Sequence, residues 1–277
     1  LLALVLVFGS ALAPAFAQGD PTRGEYIAKA AGCLGCHTEA RTGAVAYAGG
    51  RELKSPFGSF FGPNITPHPT AGIGAWTRAQ FATAMREGRR PDGAHYFPAF
   101  PYTAFTKITD GDLDDLWAYL RSLPPSDRAN RAHELDFPFN IRIGVLFWKF
   151  LNFTPGPLPA IAGASPAVVR GAYLVEALGH CGECHTPRDA LGGLKTASAY
   201  AGSVMGKVRI PNITPVALAK WSDGDLKEFL TSGMTPDGDF AGGEMGEVIR
   251  NSTSQLRPDD LAAMIAYLRT LPPRPAP

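Results

Sequence analysis

The sequence predicts a mainly α protein built from two tandem copies of one small helical domain. A proline-rich linker with an apolar aromatic segment joins the copies. Three observations predict this. The chain repeats itself: Cys33 and Cys181, Pro63 and Pro211, and Ala118 and Ala266 are each 148 residues apart. Apolar residues in each copy recur at helical spacing. Glycine (31) and proline (25) are plentiful, as expected of short helices joined by ordered loops. The repeat divides the 277 residues into a leader (1–17), domain 1 (18–125), a linker (126–167) and domain 2 (168–277).

The leader, LLALVLVFGSALAPAFA, is an apolar run ending Ala15-Phe16-Ala17 before Gln18. It reads as the core and cleavage site of a secretory signal, with a retained membrane anchor as the alternative. No other stretch is long and apolar enough to cross a bilayer. The spacing predicts a first helix from about Arg23 into the segment CLGCH at 33–37. A middle helix, TRAQFATAMREG, carries Phe81 and Met85 four positions apart. The last helix opens at Thr109-x-x-Asp112, a variant of a capping box, lines up Leu113, Leu116, Trp117 and Leu120, and stops at Pro124. RGAYLVEALGHCGECH (170–185), PNITP (211–215) and AYLRTLPP (266–273) repeat the pattern in the second copy. The linker's centre, FNIRIGVLFWKFLNF (139–153), is too short and too charged to span a membrane. Phe147, Trp148 and Phe150 are expected to be buried against a domain, or to dock on a membrane or a partner.

Net charge is +1, which gives no case for nucleic acid as a partner. The four cysteines form two C-x-x-C pairs, each followed directly by histidine: Cys33, Cys36 and His37, then Cys181, Cys184 and His185. C-x-x-C-H is the attachment motif of c-type haem. Two thiols one helical turn apart reach two vinyl groups on one porphyrin edge, and the next residue turns its imidazole onto the iron. Zinc sites also use C-x-x-C, but these pairs are far apart and each has its own histidine. Two covalently bound haem c groups are therefore expected, with His37 and His185 as axial iron ligands.

The motif order RGxY, CxxCH, PNITP, PDG with a ligand loop, then AYLRSLPP resembles the cytochrome c subunits of membrane-associated bacterial dehydrogenases of the quinoprotein alcohol, gluconate and molybdenum-hydroxylase types. The likeness runs from about Arg23 to Pro273. It implies two tandem class I cytochrome c domains. Members of that group often carry a third haem domain and sometimes a C-terminal anchoring segment; this sequence shows two domains and ends without such a tail. The resemblance also implies a methionine as sixth iron ligand in each domain. Met245 stands at that place in domain 2. In domain 1 the loop reads Phe97-Pro98-Ala99-Phe100, and counting from either side selects a phenylalanine. His95 is the candidate substitute, with Met85 or an open, water-bound iron as alternatives. His68, His133 and His180 read as loop or surface residues.

The resemblance implies an electron-transfer subunit with no catalytic residue of its own. It would be exported to the periplasm, free or peripheral on the inner membrane. Its partners would be a dehydrogenase catalytic subunit and a downstream acceptor: a small cytochrome, a quinone-linked complex or a terminal oxidase. The alternative is a dihaem enzyme resembling peroxidases or thiosulfate dehydrogenases, using the methionine-less haem 1. A sensor would need an output domain, and none is seen.

Overall fold

The computed structural model describes residues 19–275, so the leader expected at 1–17 lies outside the described residues. Helix α1 (Pro21–Ala30) starts where Asp20 accepts the Thr22 N–H at 2.8 Å, with proline at the first position. The first helix does not run unbroken into the cysteine motif. Gly32 (φ 62°) takes the left-handed conformation, and α2 (Cys33–His37) begins afresh behind it. A hairpin of β1 (Glu52–Ser55) and β2 (Gly58–Phe61) follows. Helix α3 (Arg78–Glu87) has a full capping box between Thr77 and Gln80 and stops at left-handed Gly88. A short α4 (Tyr102–Phe105) and the last helix α5 (Asp110–Ser122) complete domain 1.

The linker turns back on domain 1: β3 (Glu134–Leu135) pairs antiparallel with β2. It then forms α6 (Gly144–Asn152). This helix corrects the expectation of burial against a domain. Val145 is buried and Trp148 half-buried, its Nε1 donating to the Leu191 carbonyl at 2.9 Å. Phe147 and Phe150 are exposed. Lys149 and Asn152 face the protein instead, Lys149 donating to the Glu87 carbonyl and Asn152 lying against Gly193. Their polar atoms take the contacts that the aromatic rings were expected to take.

Domain 2 repeats the order: α7 (Pro166–Tyr173), α8 (Gly182–His185), the hairpin β4 (Ser203–Met205) and β5 (Val208–Ile210), α9 (Pro215–Leu218), α10 (Asp223–Ser232), α11 (Gly243–Asn251) and α12 (Pro258–Thr270). Tyr26 and Tyr173 are 147 apart, whereas the cysteines are 148 apart, so domain 2 holds one extra residue between them. A π-helical turn, Leu174–Leu178, absorbs it. His180 (φ 39°) then occupies the left-handed position that Gly32 fills in domain 1.

In each domain the first and last helices cross at a glycine. A Cβ on Gly24 would lie 1.9 Å from the Asp115 carbonyl oxygen of α5, and one on Gly171 would lie 1.9 Å from that of Ala263 in α12. Gly111, in the first turn of α5, has open space around it. Gly24→Ala should therefore destabilise domain 1 by about 3 kcal/mol, since the helices must separate. Gly111→Ala should fall within about 1 kcal/mol of wild type, on the stabilising side. Denaturant titration followed by far-UV circular dichroism compares the two, and equal effects would refute the crossing.

Candidate functional site

All four cysteines are unpaired thiols. Burial pushes Cys33 and Cys181 up to about 12 and Cys184 up to about 11. Among the described residues, no group of three or more His, Cys, Asp or Glu side chains is arranged to hold a metal ion.

The histidine after each pair is held from behind. His37 Nδ1 lies 2.7 Å from the Pro63 carbonyl, and His185 Nδ1 lies 2.8 Å from the Pro211 carbonyl. Both prolines open a PNITP segment. Asn64 accepts the Thr66 N–H at 2.9 Å and the Thr66 hydroxyl at 2.7 Å, while its amide donates to the carbonyls of Ser126 and Arg128 beyond α5. Asn212 accepts the Thr214 N–H at 2.7 Å and donates to the Arg274 carbonyl beyond α12. The segment is thus an Asn turn, tied to the chain after the last helix, that aims a proline carbonyl at an imidazole. Burial lowers the proton affinity of both rings, which keeps them neutral. A neutral imidazole donating from Nδ1 presents the Nε2 lone pair to a metal.

On the opposite side the two domains differ. Arg89 bridges His95 as Met234 bridges Phe240, and the Tyr96 N–H reaches the Gly88 carbonyl as that of Ala241 reaches Gly233. Every one of these pairs is 145 apart, and at that offset Phe100 stands where Met245 stands in domain 2. Met245 is on α11, half-buried against the core. Phe100 is packed among Tyr96, Tyr102 and Phe105. Met85 is buried in the core at the place that Leu230 fills in domain 2. His95 has exposed Phe240 as its counterpart. Its Nδ1 lies 3.1 Å from Lys149 Nζ, and partial burial together with that cation lowers its proton affinity.

The residues fit haem on two counts. The donors are thiols and neutral imidazoles. Three buried polar atoms also lack a partner: Tyr102 Oη, Arg51 Nε and Arg274 Nε. Arg51 lies close enough for its charge to act on Cys36. Buried donors without acceptors suit a cofactor that brings carboxylates.

The domains meet through matching contacts. The Tyr26 hydroxyl donates to Asp260 at 2.5 Å and accepts the Arg257 N–H at 3.2 Å. The Tyr173 hydroxyl donates to Asp112 at 2.6 Å and accepts the Thr109 N–H at 3.2 Å. Each tyrosine so caps the last helix of the other domain. Asp112 does not complete a capping box with Thr109, because its carboxylate serves Tyr173. Each attachment motif also abuts the other domain's opposite loop. Arg51 Nη2 bonds both carboxylate oxygens of Glu247 on α11, and Ser252 donates to the Ala30 carbonyl. Thr103 on α4 donates to Glu183 at 2.6 Å, and Lys107 pairs with Glu176. His180 is no surface residue: its ring meets Phe105 of domain 1 edge-on, with centroids 5.5 Å apart. Its place between the motifs follows from packing that the sequence pattern does not display.

Comparison with known proteins finds the same domain twice. The cytochrome c family profile matches residues 21–124 and again 168–272. A diheme cytochrome c-type protein of Cereibacter sphaeroides is 48% identical over 263 residues, covering 92% of this chain and 86% of that protein. The fructose dehydrogenase cytochrome subunit of Gluconobacter japonicus is 41% identical, over 91% of this chain and 52% of its own length. The gluconate 2-dehydrogenase cytochrome c subunit of Pantoea cypripedii is 34% identical, over 98% of this chain and 64% of its own. The chain thus spans between half and two thirds of these two dehydrogenase subunits.

The interdomain bonds carry a pH dependence. Burial alone would push Asp260 up, but hydrogen bonds from Arg170 and Tyr26 outweigh it and hold the carboxyl at about 2, against an ordinary 3.8. A depressed carboxyl stabilises the folded form above 3.8, and that contribution disappears as pH falls from 3.8 towards about 2. Domain docking should loosen in this window, as measured by small-angle scattering. Tyr26→Phe should shift the onset to higher pH. Identical acid profiles for wild type and variant would disprove the link.

Proposed function

Because the chain belongs to the cytochrome c family, we propose that it is a periplasmic dihaem electron carrier. It would take electrons from a partner dehydrogenase and deliver them to the respiratory chain. Its relatives include cytochrome subunits of fructose, gluconate and alcohol dehydrogenases. The observation that carries the reading is the pair of C-x-x-C-H helices, each with its histidine backed by a proline carbonyl and each packed against the opposite domain.

In this reading Cys33, Cys36, Cys181 and Cys184 hold two haem c groups as thioethers, and His37 and His185 ligate the irons. Haem supplies a one-electron ferric/ferrous couple when bound. The chain's residues set its potential and surroundings. The Pro63 and Pro211 carbonyls raise the basicity of the two imidazoles. Met245 offers a thioether, which favours the ferrous state and a high potential. Phe100 denies one to domain 1. His95 is the imidazole of the corresponding loop, with Nδ1 engaged by Lys149. With an imidazole offered in place of a thioether, domain 1 would hold its haem at the lower potential, so electrons would enter at domain 1 and leave from domain 2. About 59 mV sets a tenfold equilibrium for one electron. Phe100 also supports a second reading, in which an open iron in domain 1 turns over peroxide or a sulfur oxyanion.

The intact mass after acid–acetone extraction should exceed that of the polypeptide by two haems. In a spectroelectrochemical titration the ferric methionine–iron charge-transfer band should integrate to one haem and vanish in Met245→Ala. His95→Ala should convert the low-potential haem to high spin. Unchanged spectra would exclude His95 as a ligand, and turnover of peroxide or thiosulfate by the isolated protein would favour the second reading.

A further inference from the structure

Helix α6 is amphipathic the wrong way round for a protein in water. Ile143, Leu146, Phe147, Phe150 and Leu151 fall at helical spacing on one face, and that face points outward. Ile143 is 69% exposed, Phe147 63% and Phe150 84%. The segment leading into the helix adds Phe137, 79% exposed. The inward face holds the polar atoms: Lys149 donates to the Glu87 carbonyl, and Trp148 donates to the Leu191 carbonyl. A lone exposed leucine needs no explanation, but a contiguous hydrocarbon face of this extent calls for a cover.

We propose that this face seats the protein on an anionic lipid surface. Two observations select lipid over a protein. The outward side chains of α6 are hydrocarbon throughout. A protein interface mixes apolar anchors with hydrogen-bonding groups, and this face has none to offer. Charge is the second. From Phe137 to Asn152 there is no acidic residue, and the two charged ones, Arg142 and Lys149, are both cations. Arg142 is exposed beside the apolar stripe, where it favours an anionic headgroup layer through its surface potential, whereas Lys149 turns inward to the Glu87 carbonyl. The helix has nine residues, and no helix among the described residues is long and apolar enough to cross a membrane. It therefore lies in the interface, with its rings among the acyl chains and Trp148 at its margin. The inference rests on exposure and charge and is independent of the haem ligands.

The test is flotation of the exported, haem-loaded protein beginning at Gln18. The vesicles are phosphatidylcholine alone or phosphatidylcholine with phosphatidylglycerol. The variant is Phe147→Ser/Phe150→Ser, whose sites are exposed enough to leave folding intact, with haem spectrum and thermal unfolding as controls. Wild type should float with the anionic vesicles and less with neutral ones. The variant should partition roughly a hundredfold less, about tenfold for each ring withdrawn. Three results would overturn the proposal. Wild type stays at the bottom with both vesicles, or variant and wild type float alike. Wild type self-associates in vesicle-free buffer while the variant is monomeric, making the face a contact between copies. Or binding of a dehydrogenase subunit depends on these rings and vesicles do not compete for it. None of these alters the haem count, which mass spectrometry reads separately.

Discussion

Two tyrosine hydroxyls hold the arrangement together. Tyr26 and Tyr173 each reach into the other domain, donate to the aspartate three residues into its last helix, and accept the N–H of the residue just before that helix. A helix start leaves N–H groups without partners, and here each domain fills part of that need for the other. The partnership fixes distance and angle at once, because the capped helix packs on the tyrosine-bearing helix of its own domain at a glycine. Separation of the domains would leave a depressed, half-satisfied carboxylate at Asp260 and a strained cap at each end. The relation between the two attachment motifs is set by these bonds together with linker helix α6, which bonds Glu87 of domain 1 and Leu191 of domain 2.

Symmetry stops at the loops that carry Phe100 and Met245. Both histidines rest on proline carbonyls at nearly equal distances, so the two domains begin from the same electronic footing. The difference is introduced on the opposite side, where α11 carries Met245 and domain 1 has an aromatic cluster around Phe100. These same loops press on the neighbouring attachment motif, through Glu247 in one direction and Thr103 in the other. The Phe100/Met245 difference and the contact between domains therefore lie in one short segment of each copy. A three-residue difference in loop length changes both together.

Much of this was legible in the sequence, because haem attachment demands adjacent residues. C-x-x-C-H needs no fold to be read, and the repeat multiplies its weight. The helices were legible from the Thr109 cap and from apolar spacing. PNITP was visible only as a repeat: its role depends on a backbone carbonyl, which no side-chain pattern reports. His180 looked like a loop residue because the left-handed turn that buries it arises from a one-residue insertion taken up upstream. Helix α6 was recognisable as an apolar, aromatic segment, but that pattern does not say which face the rest of the protein covers. Lys149 decides that, by finding the Glu87 carbonyl and His95.

The tyrosine contacts between the domains are isologous in all but covalent terms: Tyr26, which reaches across in one copy, is the counterpart of Tyr173, which reaches back. Such a surface is what two identical subunits form about a two-fold axis. In a homodimer every substitution appears twice, so a phenylalanine in place of the methionine would strip both sites at once. Fusing the copies into one chain lifts that constraint while leaving the contact unchanged. Phe100 in the place of Met245 is a difference that two identical subunits could not hold, and it lets one symmetric contact join two unlike domains.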